Sequence, residues 1–124
     1  MGYNVIDTAD LDPSPGHPCD RRSVAEAAGL GGLAAAVYDL APGEDLATTY
    51  HYHEQRAELL YVLAGTLHVE TPDREYAVGA DEVFVVEPES PIRPYNPADA
   101  DGRARVFGVG APAFDPGRPY EPDS

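Results

Sequence analysis

Two histidines and a glutamate in the stretch TTYHYHEQRAELLYVLAG, residues 48 to 65, carry the clearest chemical pattern in this chain. Residues two apart on an extended strand point the same way, so Thr49, His51 and His53 share one face of TTYHYH. In the apolar run that follows, Glu58 shares a face with Leu60, Val62 and Ala64, a company that marks the face as internal. A carboxylate buried without a partner is costly, so Glu58 needs a cation, a proton or a hydrogen-bonding partner. Two imidazoles aimed the same way complete a two-His, one-carboxylate set for a divalent metal, with positions open for water or substrate. Fe(II), Mn(II), Ni(II) and Zn(II) all accept such donors, and no organic cofactor is implied. The plainer alternative is a pair of core or rim histidines bonded to backbone or to Glu58.

The elements that must hold these residues are short strands. LAAAVYDL, TTYHYH, LLYVLA, TLHVE, REYAV, VFVVE and RARVFGVG are apolar or alternating runs, separated by Gly, Pro, Asp and Glu turn signals. That spacing predicts an all-β sandwich or closed barrel. One short helix is expected in SVAEAAGLGG, where Ser23 and Glu26 make an S-x-x-E capping box and Gly29 or Gly31 ends it. Both chain ends, DLDPSPGHPCD and APAFDPGRPYEPDS, read as Pro-rich arms or turns. The expected division is an N-terminal arm and helix over 1–32, a barrel over 33–110 and a C-terminal arm over 111–124, within a single domain.

The run G-x7-H-x-H-x4-E-x6-G, from Gly43 through His51, His53 and Glu58 to Gly65, resembles the first signature motif of the cupins. The family usually has five residues between its first Gly and first His, where this chain has seven. GADEVFVVEPESPIRPYN is similar to the second, looser motif, with Asp81 and Asn96 at its ends. The resemblance covers residues 33 to 110 and implies a double-stranded β-helix, or jelly-roll barrel, with metal ligands projecting into a pocket at one end. It also implies a homodimer, which would give the Pro-rich arms a surface to pack on. The fourth ligand that cupins take from the second motif is a His, and here that position falls on Ile92, or on Pro91 if the loop slips by one. Neither coordinates a metal, so the expected set stops at His51, His53 and Glu58.

Around that set, Arg56 is expected near the pocket mouth, Arg93 and Tyr95 flank Ile92, and Tyr61 lies on the strand of Glu58. These five are candidate ligand contacts, against the alternatives of surface ion pairs for the arginines and packing for Tyr61 and Tyr76. Asn96 is expected to be structural. His68 lies with Thr66 and Glu70 on the polar face of TLHVE and is expected to face solvent. His17 could reach the barrel only if its arm folds back.

Composition narrows the partners. The chain has a net charge of −14, and all eight of its basic residues are Arg. Without a basic cluster, binding to nucleic acid or to an anionic membrane is disfavoured. The acidic residues are spread along the chain, a solvated shell of the kind that halophiles use, and a salt-loving source is expected. No apolar run has the length of a membrane span and no secretory signal is visible, so a cytoplasmic protein is expected. Cys19, the single cysteine, allows no internal disulfide and reads as an incidental thiol more than a nucleophile. No nucleophile elbow, P-loop or dinucleotide fingerprint occurs. Two functions stay open: a metal-dependent protein that acts on or binds a small molecule, and a metal-free binding or sensing module.

Overall fold

The computed structural model describes residues 2–122; Met1, Asp123 and Ser124, the extreme ends of the two expected arms, lie outside the described residues. Ten strands follow one another: β1 (Asp20–Ser23), β2 (Ala34–Leu40), β3 (His51–Tyr52), β4 (Ala57–Ala64), β5 (Thr66–Glu70), β6 (Glu75–Gly79), β7 (Val83–Val86), β8 (Arg93–Tyr95), β9 (Ala104–Ala111) and β10 (Arg118–Pro119). They form a five-stranded sheet in the order β1-β2-β9-β4-β7, a three-stranded sheet β6-β5-β8 and the pair β10-β3, all antiparallel. Bridges from Asp45 to Tyr95 and from His51 to Ile92 tie the segment before β4 to the smaller sheet. The architecture is the all-β jelly-roll barrel.

Alternation places the core between the sheets. Leu40, Val62, Leu67, Val69 and Val106 are completely buried, each contributing about 1.5–3 kcal/mol of apolar burial. On β4, Leu60 and Val62 point inward with Glu58, as the two-residue period requires. Ala64 is exposed, contrary to its expected place on that face. A register shift between Val62 and Ala64 explains it, because one extra residue on β4 breaks the alternation. Gly65 follows at φ +76°, and a Cβ there would overlap the Arg103 carbonyl oxygen, so the turn admits only glycine.

Among the described residues there is one α-helix, α1 (Val24–Ala28), which is short, and one 3-10 turn, Thr8–Asp10. The Ser23 hydroxyl accepts from the Glu26 N–H at 3.1 Å, and Gly29 closes the helix in the left-handed conformation at φ +69°. Of the capping box only the Ser23 half is made. Neither expected arm hangs free. The first supplies β1 to the large sheet and the second supplies β10, which pairs with β3. Asn96 is buried and donates from its side-chain amide to the carbonyls of Leu40 and Gly102, a structural role.

Candidate metal centre

The expected strand TTYHYH contracts to His51–Tyr52, yet His51, His53 and Glu58 still meet. One donor atom from each lies within 4.8 Å of the others, and His53 Nε2 stands 3.8 Å from Glu58 Oε1. Backbone carbonyls fix both imidazoles. His51 Nδ1 lies 2.9 Å from the Thr49 oxygen, and His53 Nδ1 lies 2.6 Å from the oxygen of Asp115, 62 residues away. A carbonyl only accepts, so each Nδ1 carries the proton and each Nε2 keeps its lone pair. The His53 imidazole is held below its ordinary value, first by burial, with Arg56 and His51 adding and Glu58 and the Asp115 carbonyl opposing. At neutral pH it is therefore uncharged, the form that ligates.

This donor set fits a divalent cation. Two donors about 2.1 Å from one ion stand about 3.0 to 3.4 Å apart at right or tetrahedral angles, so the donor atoms would draw together by up to about 1.8 Å to share an ion, within reach of side-chain rotation. The triad borders a cavity of about 190 Å³ whose apolar wall includes Leu46, Leu60, Ile92 and Pro94. Ile92 is 4% exposed, and its backbone N–H and C=O both bond to His51, at 2.9 and 3.1 Å. The position from which a fourth ligand was expected therefore does border the triad, and it brings a hydrocarbon.

A family model for the cupin domain matches residues 36–108. The chain is a cupin. Its barrel is similar to the polyketide cyclase RemF of Streptomyces resistomycificus, with a TM-score of 0.78 and 22% identity over 98% of this chain and 87% of that one. A Thermotoga maritima protein provisionally described as an oxalate decarboxylase gives 0.73 at 16% identity, over 87% of this cupin and 98% of that chain. An Acidithiobacillus ferrooxidans protein, provisionally described as a sugar phosphate isomerase, gives 0.69 at 21% identity over 79% of this cupin. The match spans 62% of that longer chain. A search of curated proteins finds no match. Relatives this distant share the fold, and their varied chemistry shows that the barrel alone does not choose a reaction.

The other candidates divide. Arg56 is among the residues that line the cupin's cavity. Its Nε donates to the Pro112 carbonyl at 3.0 Å and its Nη2 to the Ala113 carbonyl, which ties it to the C-terminal arm. Gly110 makes room for it, since a Cβ there would come within 2.7 Å of Arg56 Cδ. Tyr61, Arg93 and Tyr95, expected beside a ligand, are not among the cavity-lining residues, and strand alternation gives the reason. On β4, Tyr61 is one residue off the phase of Leu60, and its hydroxyl donates to Asp81 at 2.8 Å on the exterior. On β8 the buried residue is Pro94, so Arg93 and Tyr95 point outward. Arg93 pairs with Asp45 at 3.0 Å and Glu70 at 3.2 Å and sits 4.3 Å from the Tyr95 ring centre.

Two polar cavity residues, Arg21 and Tyr38, escaped the sequence reading, as did the apolar Leu46, Ala47 and Pro94. The N-terminal arm folds back, with His17 Nε2 2.7 Å from the Leu46 carbonyl, and this fold-back accompanies Arg21 and Tyr38 at the cavity wall. Only the inward phase of LAAAVYDL could have suggested Tyr38; nothing in the arm's composition suggested Arg21. His68 is partly buried on the outer face and borders a separate surface cleft of about 480 Å³ with Asn96 and Arg103. Cys19 is buried, and burial, with the Glu44, Asp20 and Asp39 carboxylates adding, pushes its thiol up to about 12. It is no nucleophile at neutral pH.

Proposed function

We propose that this cupin binds a small molecule in its barrel beside a divalent transition metal held by His51, His53 and Glu58. The observation that carries the reading is the pair of backbone carbonyls on the two Nδ1 atoms, which presents two lone-pair nitrogens to one carboxylate. Such preset tautomers are the usual support of imidazole ligands. A bound divalent ion would supply Lewis acidity toward an oxygen of the small molecule. The chain's own part is to exclude water with Leu46, Leu60 and Ile92 and to orient the molecule with the polar side chains of the wall.

A second reading, a metal-free binding or sensing module, draws on one observation. Ile92 occupies the fourth-ligand position and makes that wall apolar. Elemental analysis of protein purified without chelator or nickel resin separates the two. Stoichiometric Fe, Mn, Ni or Zn, lost in His51→Ala and in Glu58→Ala, is the expected result. Absence of metal, with no rise in melting temperature on adding any of these ions, would leave the second reading.

The same proposal includes a homodimer. The second copy would cover the exterior of β4, β7 and β9, where the rows Val85–Leu59–Val109 and Val83–Tyr61–Phe107 carry no charge. The acidic shell suits work at high salt and a halophilic source, and a cytoplasmic location belongs to the same reading. No helix among the described residues is long and apolar enough to cross a membrane.

A further inference from the structure

In a chain with only eight basic residues and a net charge of −14, two arginines line the one cavity that holds the metal-spaced triad. Arg21 comes from β1 and Arg56 from the turn before β4, and against their two guanidiniums the cavity lining has a single carboxylate, Glu58. A divalent ion in the triad would raise this positive excess further. Arg21 donates from Nη1 to the Ser14 hydroxyl at 2.9 Å, and its guanidinium carbon lies 5.9 Å from the Tyr38 ring centre. Its nearest acidic partner, Glu26, stands 3.8 Å away with a side chain 79% exposed, so water screens that pair. Among the described residues, Nη1 of Arg56 has no hydrogen-bond partner, and the Arg21 guanidinium shares its five N–H donors between the Ser14 and Tyr38 hydroxyls, which leaves donors over. Donors beside a small, partly apolar cavity are poised for charge-assisted bonds to an anion.

Size and wall chemistry narrow the anion. About 190 Å³ is below the roughly 300–1,000 Å³ of pockets that hold drug-sized molecules, which points to a ligand of few non-hydrogen atoms. Leu46, Leu60, Ile92 and Pro94 want hydrocarbon against them. Two of the three nitrogens of Arg56 are already committed to backbone carbonyls, which leaves too few donors to surround a tetrahedral oxyanion. We infer that the ligand of this cavity is a small organic carboxylate, its carboxylate facing Arg21 and Arg56 and its short carbon body lying against Ile92. This deepens the metal-site reading and rests on it for the second oxygen contact only.

Calorimetric titration tests the inference on the full chain, metal-free and Mn(II)-loaded, with pyruvate, its neutral amide pyruvamide and inorganic phosphate as probes. Pyruvate is expected to bind, pyruvamide to bind at least about tenfold more weakly, and Arg21→Gln to weaken pyruvate by about tenfold or more, as loss of a charged hydrogen bond does. Arg21→Lys, which keeps the charge, should recover part of that loss and guards against a folding defect in the first variant. Equal pyruvate affinity in wild type and R21Q, equal binding of pyruvate and pyruvamide, or phosphate binding in place of pyruvate would each overturn it. Manganese content is read in the same samples. Pyruvate binding by protein that takes up none of Mn(II), Fe(II), Ni(II) or Zn(II) removes the metal reading and upholds the carboxylate; metal binding without pyruvate removes the carboxylate alone.

Discussion

At the scale of single residues, the site turns on side chains whose direction is set by backbone rather than by one another. Ile92 shows this best, because both of its peptide groups bond to His51 and leave its side chain no choice of wall. A histidine placed there would emerge beside the three existing donors. Ile92→His is therefore expected to tighten divalent-metal binding by at least about tenfold, read by competition with a chromogenic chelator. Without metal the same variant should melt below wild type, since an imidazole replaces a packed hydrocarbon. Unchanged affinity would mean that residue 92 does not reach the ion. The triad itself was legible in the sequence because a period of two residues and one carboxylate on an apolar face are local signals. Its support was not, since the Thr49 and Asp115 carbonyls belong to no residue type.

At the scale of elements, the strands of the barrel were legible for the same local reason, and the arms were not. What ties each arm down is a contact between residues far apart in sequence. Asp115 accepts from the backbone N–H groups of Gln55 and Arg56 at 2.6 and 2.7 Å, and Gly117 lies so close that a Cβ there would be 3.1 Å from the His51 ring. Alternation says nothing about such closures. On the other side, His17 is the tether, and its titration makes the tether measurable. Burial holds its imidazole below the ordinary 6.5, with Arg21 adding and the bond to the Leu46 carbonyl opposing. Above that value both states are neutral and stability is unaffected. As pH falls below it, the unfolded chain takes up a proton that the folded chain refuses, so stability declines until the lowered folded value is passed. Glutamine can donate to the Leu46 carbonyl without titrating. His17→Gln should therefore lose less melting temperature than wild type between pH 7.5 and 5.5; parallel curves would show that His17 carries no such linkage.

At the scale of the whole molecule, a strong negative shell and an uncharged sheet face make opposite demands. Leu59, Leu63, Val83 and Val85 are 41–62% exposed, and β7 is the outer strand of its sheet. An open apolar strand edge invites pairing with another chain. A membrane is a poor occupant, because anionic lipid repels a chain of charge −14. A second copy meets the same repulsion over its acidic surface but none across the rows Val85–Leu59–Val109 and Val83–Tyr61–Phe107. Association should then strengthen as salt shortens the screening length from about 10 Å at 0.1 M to about 3 Å at 1 M. Light scattering after size exclusion is expected to give a dimer whose dissociation constant falls with added NaCl. Val85→Glu, at a position 62% exposed in the monomer, should abolish the dimer while leaving the monomer's melting temperature near wild type. A monomer at every salt concentration, or a dimer indifferent to Val85→Glu, would place the contact elsewhere or nowhere. The outcome also bears on the acidic shell, because a dimer that salt tightens is a molecule whose composition and assembly answer to the same ionic strength.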